Sequence, residues 1–271
     1  MQHGIHFISG MPRAGSTLLS ALLRQNTALH AGITSPVGAL IMTLRREMSA
    51  LNDTSVFIDD DQRQAVLRGL FSNFYHAIHP LRTVIDTNRL WCAQLETIAA
   101  LFPEARVIAC VRHVPWVVDS IERLTRTNLW QTSKIFDFET GGTTLSRVER
   151  LASVNGMVGF SWNALKQAFY SEHADRMMLL RYETLTRDPA AALSAVYRFL
   201  GLPPFEHDFD NVVFDAGEFD SRIGAPGLHT VRRAVRAADR QTVLPPDLWQ
   251  RFEGDSFWED PTLNLRNVTV V

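Results

Sequence analysis

Eight residues, Gly10-Met11-Pro12-Arg13-Ala14-Gly15-Ser16-Thr17, restrict this chain more than any other stretch. They lie between an apolar, β-prone run, Ile5–Ser9, and a segment where Leu18, Leu19, Leu22 and Leu23 recur at helical spacing. A strand therefore has to turn through a glycine-containing loop directly into a helix. Such a loop aims successive backbone N–H groups at one point, and the helix start adds roughly half a positive charge. A phosphate-like anion fits there without further help. Gly15 lets the backbone approach closely, while Ser16 and Thr17 supply hydroxyls. The alternative is a tight turn with a helix cap and no ligand.

The rest of the chain continues the alternation. Thr83–Asp86 reads as a strand, Trp91–Leu101 as a helix, Arg106–Val111 as a strand and Pro115–Leu124 as a helix with Pro115 in its first turn. Met177–Arg181 is a further strand, and Pro189–Leu200 a helix stopped by Gly201 and Pro203. Strand, helix and strand at this spacing imply a parallel sheet with helices on both faces. Residues 36–79 read as helices, with apolar stripes Leu40, Leu44, Met48, Leu51 and Val66, Leu67, Leu70, Phe71, Phe74. Their join falls near Asn52–Thr54, and Asp59-Asp60-Asp61 marks a helix N-terminus. Residues 127–145, with Gly141-Gly142, read as a surface insertion or lid, and 203–245 as a long irregular loop. The expected fold is a single α/β domain, residues 1–271, of the P-loop NTPase type: a central, mostly parallel sheet flanked by helices.

Lys+Arg 27 against Asp+Glu 29 gives a net charge of −2, so no global basic field of a nucleic-acid binder exists and any anion needs a local site. Cys92 and Cys110 are the only cysteines, too few for a structural zinc site, and they suggest no secreted disulfide scaffold. No leader-type segment and no apolar run of membrane-spanning length occurs, so the expectation is a cytoplasmic protein without membrane partners. The sequence leaves the oligomeric state open, a homodimer included.

The spacing of the loop matches a Walker A motif, but Ser16 stands where that motif has Lys, and the loop's cation is Arg13. No strand ends in a clear metal-binding Asp. A kinase or NTPase uses both groups to neutralise phosphate charge, so the pattern points to a donor that needs no metal.

Residues Phe7–Leu19 resemble the 5′-phosphosulfate loop of the sulfotransferases that use 3′-phosphoadenosine 5′-phosphosulfate (PAPS) and release 3′-phosphoadenosine 5′-phosphate (PAP). The likeness is closer to their tyrosylprotein and bacterial branches, with Ala14 replacing the usual Ser. A strand ending in Arg112, followed by Ser120 on the next helix, is similar to the family's 3′-phosphate site; Leu179–Glu183 resembles its strand ending in Tyr-Glu, with Tyr182 near the nucleotide. The resemblance covers roughly residues 5–30, 83–124 and 176–202. It implies sulfuryl transfer to an acceptor hydroxyl on a tyrosyl peptide, small molecule or carbohydrate, with Pro12, Arg13, Ala14, Gly15, Ser16, Thr17, Arg112, Ser120 and Tyr182 holding the donor and no metal. It also implies that Arg13, and Arg89 near a family Lys, stabilise developing charge.

The general base does not carry over. The tyrosylprotein branch has a Glu after the first helix, and Ala31–Pro36 contains no carboxylate; the cytosolic branch has a His after a strand, and residues 83–91 contain none. Two local candidates remain: Asp86, at a strand end where burial raises a carboxyl pKa, and His229, in the irregular loop. Asp86 has the alternative of capping a turn or pairing with Arg89, and His229 that of an ordinary loop histidine or a nucleotide contact. Arg232, Arg233 and Arg236 form either a solvated face or a closure over the phosphates. His113 reads as a helix-start residue. Outside sulfuryl transfer, a P-loop kinase or NTPase and a non-catalytic nucleotide-binding protein stay as alternatives.

Overall fold

The computed structural model describes residues 4–78, 81–139 and 142–271. β1 (Ile5–Gly10) is buried along its whole length and enters the loop whose far end starts α1 (Ser16–Leu23). β2 (Leu29–Ala31), β3 (Thr83–Thr87), β4 (Val107–Val111), β5 (Met177–Arg181) and β6 (Thr269–Val270) complete one six-stranded sheet. Its order is β2-β3-β1-β4-β5-β6, and every pairing is parallel. β1 sits between β3 and β4, with Phe7 facing Asp86 on one side and Val107 on the other. The strand order reverses around β1, so a crevice opens beyond the carboxyl ends of β1, β3 and β4.

Between β2 and β3 the chain forms α2 (Val37–Glu47), a 3₁₀ turn at Asp53–Phe57, and α3 (Asp60–Phe74). Asp59 caps α3 by accepting from Gln62 N at 2.7 Å, while the Gln62 side chain accepts from Asp59 N, a capping box at the helix N-terminus that the acidic run marks. The two apolar stripes are displaced from expectation. α2 buries Val37, Gly38 and Ile41, and Met48 follows, but Leu40 and Leu51 are 42% and 80% exposed. α3 buries Leu67 and Phe71 and leaves Val66 and Phe74 exposed. His79, the last residue of the expected helical stretch, lies outside the described residues.

The expected helix over Trp91–Leu101 divides into a 3₁₀ turn, Arg89–Gln94, and α4 (Leu95–Leu101). After β4 runs α5 (Val114–Thr127), longer at both ends than expected, with His113 at its N-cap. In the segment expected as a surface insertion or lid, Ile135 and Phe136 are buried, Trp130 is exposed, and Lys134 N donates to Ile223 O at 2.9 Å. It passes into α6 (Thr144–Ala152); Gly141 of the expected glycine pair lies outside the described residues. α7 (Met157–Tyr170), not foreseen from the sequence, packs against the Arg89–Gln94 turn and β1. α8 (Tyr182–Arg187) and α9 (Pro189–Leu200) follow β5, and Gly201 ends α9 in the left-handed conformation. Residues 203–245 are irregular except for α10 (Gly217–Arg222), and α11 (Pro246–Gln250) precedes β6.

Phe7 anchors the core on one sheet face, with its ring 5.0 Å from Trp91 and 5.8 Å from Phe71. Cys92 and Cys110 are both free and buried. Among the described residues no helix is long and apolar enough to cross a membrane.

Candidate functional site

Beyond the carboxyl ends of β1, β3, β4 and β5 lies a cavity of about 710 Å³. Its floor is the loop from Gly10 to Thr17. Gly10 has φ 103°, and a Cβ there would fall 2.2 Å from Cys110 O, so only glycine lets the loop leave β1 this close to β4. Met11 N donates to that same carbonyl at 2.8 Å. Gly15, at φ 96°, is the N-cap of α1 and offers no side-chain cap, which leaves the first-turn amides of α1 free of intrahelical and capping partners. Pro12, Arg13, Gly15, Ser16 and Thr17 line the cavity. Ala14, expected among the donor-binding residues, is buried in the core and absent from the cavity lining.

A second corner forms where β4 and β5 end. Arg112 lies over the Tyr182 ring, 4.2 Å from its centroid, and Nη1 donates to Arg13 O at 3.4 Å. Arg112 Nε is buried without a hydrogen-bond partner, 4.0 Å from Glu183 Oε1. Burial lowers the Arg112 pKa to about 10, offset in part by Tyr182 and Glu183. Arg13 is drawn to this corner: Nε donates to Ser120 Oγ at 3.1 Å and Nη1 to Leu228 O. The sequence reading aimed Arg13 at the phosphosulfate end; in the structure Ser120 and Leu228 take its guanidinium toward Arg112. Arg240, which the sequence reading did not single out, also lines the cavity; its Nη2 pairs with Asp119 at 3.1 Å and its Nε has no partner.

Arg89 enters from the β3 end. Asn88 caps its turn by accepting from Leu90 N at 3.0 Å, and Ser9 Oγ ties the turn to β1 by donating to Arg89 O at 3.0 Å. The Arg89 guanidinium has no hydrogen-bond or ion-pair partner among the described residues, and the surrounding protein lowers its pKa through desolvation.

The two proposed bases part company. Asp86 is 1% exposed and absent from the cavity lining. Its Oδ2 accepts from Ser35 Oγ at 2.6 Å and Tyr75 OH at 2.5 Å, and its Oδ1 from Trp91 Nε1 at 2.9 Å. Burial raises its pKa, but three donors hold it in the core, away from any acceptor and from Arg89. The alternation of β3 side chains sends Asp86 inward, which corrects the strand-end reading. His229 lines the cavity. Its Nδ1 lies 2.5 Å from Asp220 Oδ1, and its backbone N donates to Asp220 Oδ2 at 2.8 Å. Desolvation lowers the His229 pKa; Asp220 opposes this, while Arg13 and Arg89 add to it. The neutral imidazole is therefore favoured at pH 7.

Of the basic trio in the late loop, Arg232 and Arg236 line the cavity, whereas Arg233 turns to Asn211 with Nε donating at 2.7 Å. Lys134 and Arg150 complete the lining from residues 134–157. Eight cationic side chains thus face the cavity against one carboxylate, Asp137. Asp220, Arg240 and Lys134 carried no local sequence signal, because long irregular connections bring them in. Trp91, Trp116, Trp130, Phe136, Phe138 and Trp162 lie off this lining. Among the described residues no group of three or more His, Cys, Asp or Glu stands ready to hold a metal ion.

The model of the sulfotransferase family matches residues 6–207. The chain belongs to the sulfotransferase family. The match takes in the loop, Arg89, Arg112, Ser120 and Tyr182, and stops short of Asp220, His229 and Arg240. Protein-tyrosine sulfotransferase 1 of Danio rerio is 24% identical over an alignment of 239 residues that covers 84% of this chain and 60% of that protein. The family fold recurs in the sulfotransferase domain of the curacin biosynthetic pathway, with TM-score 0.52, 21% identity and 75% of each chain covered. It recurs in mouse sulfotransferase SULT7A1 complexed with PAP, with TM-score 0.53, 16% identity and coverage of 98% of this chain and 86% of that one.

Proposed function

We propose that this sulfotransferase-family protein moves a sulfuryl group from PAPS to an acceptor hydroxyl on a tyrosyl peptide, small molecule or carbohydrate. One observation carries the reading: two separate anion corners, the loop amides with the start of α1 and the Arg112–Ser120–Tyr182 cluster, open onto one cavity with eight cations and one carboxylate. A donor with phosphate groups at both ends of its ribose suits that division. The unpartnered Arg112 Nε offers a charge-assisted bond to the 3′-phosphate, and Tyr182 backs it. The amides of Gly15–Thr17 take the 5′-phosphosulfate.

In the transfer step the acceptor oxygen attacks sulfur as the bond from sulfur to the bridging oxygen breaks. The electron pair stays on that oxygen, which leaves with PAP. The acceptor's proton passes to His229 Nε2, the imidazole nitrogen not occupied by Asp220. The Arg89 guanidinium, unpaired among the described residues, stabilises charge growing on the leaving phosphate and the sulfuryl oxygens; the loop amides do the same from the other side. Arg13 holds the 3′-phosphate corner to the loop.

A titration with PAP against ATP, without divalent metal, tests the donor assignment. Preference for PAP is expected, and equal or tighter ATP binding overturns it. Radiolabelled sulfate transfer over phenols, tyrosyl peptides and sugars then identifies the acceptor class.

A further inference from the structure

We propose that Asp220 is a positioning residue that keeps the His229 proton on Nδ1, so that Nε2 meets the acceptor hydroxyl as a base. The proposal rests on the sulfuryl-transfer reading above, in which His229 takes the acceptor's proton. Asp220 and His229 both lie past residue 207, where the family match ends. Their geometry carries the inference instead.

Asp220 is 2% exposed, and both its carboxylate oxygens are committed to a single residue, Oδ1 to the imidazole Nδ1 and Oδ2 to the His229 amide. A carboxylate oxygen without a proton accepts only, so the shared hydrogen sits on Nδ1 and the imidazole presents an unprotonated Nε2. The amide contact fixes the backbone of the same residue, and the Nδ1 contact holds the ring against Asp220. The Phe219 ring, edge-on at 5.5 Å, closes the remaining side. The charged groups acting on the imidazole are Asp220 from α10, Arg13 from the phosphate loop and Arg89 from the β3 end. The two arginines oppose the imidazolium that proton transfer creates; Asp220 supplies the opposite charge. The hydroxyl proton ends on Nε2, none moves to Asp220, and the imidazolium later releases its proton to solvent.

The test uses the full chain saturated with PAP and labelled with ¹⁵N-histidine. The wild type is expected to show His229 protonated on Nδ1. Asp220→Asn, which replaces one acceptor oxygen by a donor, is expected to move the proton to Nε2 and to lower the His229 pKa. Sulfate release from PAPS to water, a probe that requires no identified acceptor, is expected to fall about 100-fold in Asp220→Asn, with PAP affinity held within about threefold. A wild-type His229 protonated on Nε2 overturns the proposal without any variant. So does an Asp220→Asn protein with unchanged tautomer and rate, provided His229→Gln abolishes sulfate release. A fully active His229→Gln instead removes the base assignment itself, which separates the two failures.

Discussion

The surroundings of His229 resist its charging: desolvation acts most, and Arg13 and Arg89 reinforce it against Asp220. A base works in its unprotonated form, so a lowered pKa extends activity toward acid. The rate of sulfuryl transfer should therefore hold through neutral pH and fall only below the usual histidine range, under about pH 6.5. A pH–rate profile checks this, and a decline beginning above neutrality contradicts it. Arg112 makes a second residue-scale prediction. Replacing it with Ala removes a guanidinium pre-stacked on Tyr182, and one charge-assisted bond corresponds to about 1.5–3 kcal/mol, or roughly 10–100-fold in PAP affinity by calorimetry. Arg112→Lys should recover only part of the loss, because an ammonium cannot span two phosphate oxygens in a plane. Asp86 belongs to stability. Asp86→Asn turns an amide donor toward donors already supplied by Ser35, Tyr75 and Trp91, and should cost about 1–3 kcal/mol in chemical denaturation.

At the scale of elements, the loop between β1 and α1 depends on glycine where it bends. Gly15→Ala places a Cβ 3.0 Å from the Tyr182 ring in a backbone region that costs an L-residue about 1–2 kcal/mol. The expected result is lowered thermal stability together with weaker PAP binding, because Tyr182 also supports Arg112. This loop was legible in the sequence, as were β3, β4, β5 and α9, because each is a run of local signals: apolar stretch, turn residue, helical spacing. Elements set by tertiary contact were not. β2 is three residues long and β6 two, below the length at which alternation is visible. In α2 the face toward the core contains Gly38, where a Cβ would come within 2.7 Å of Asn88 Nδ2. A glycine scores as nothing in an apolar stripe, so the periodicity settled on Leu40 and Leu51 instead. α5 and α6 are joined through Glu122, 1% exposed, which receives Arg126 Nε at 2.9 Å and Arg147 Nη2 at 2.6 Å. Burial alone would raise its pKa, but hydrogen bonds from Arg147 and Arg126 outweigh burial and the net shift is downward. A lowered carboxyl pKa stabilises the fold above the ordinary glutamate range and loses that contribution as pH falls. Glu122→Gln should thus cost stability at pH 7, with the gap to the wild type narrowing below about pH 4 in denaturant titrations.

For the whole molecule, charge is distributed rather than abundant. A chain of net charge −2 concentrates eight cations around one cavity, so its anion affinity is local and screened over roughly 10 Å at 0.1 M salt. PAP binding should weaken as ionic strength rises and stay unchanged when EDTA is added; a requirement for Mg²⁺ would contradict the reading. The two ends of the site differ in how far the sequence revealed them. Strand-end residues such as Arg112 and Tyr182 are placed by the sheet and so announce themselves by position. Asp220, Arg240 and Lys134 arrive through long irregular connections, where sequence distance says nothing about spatial distance. Arg13 joins these two kinds of wall: its side chain holds Ser120 of α5 and Leu228 of the late loop, and its own carbonyl receives Arg112. It therefore acts as a keystone as well as a charge. Truncating it should loosen three sides of the chamber at once.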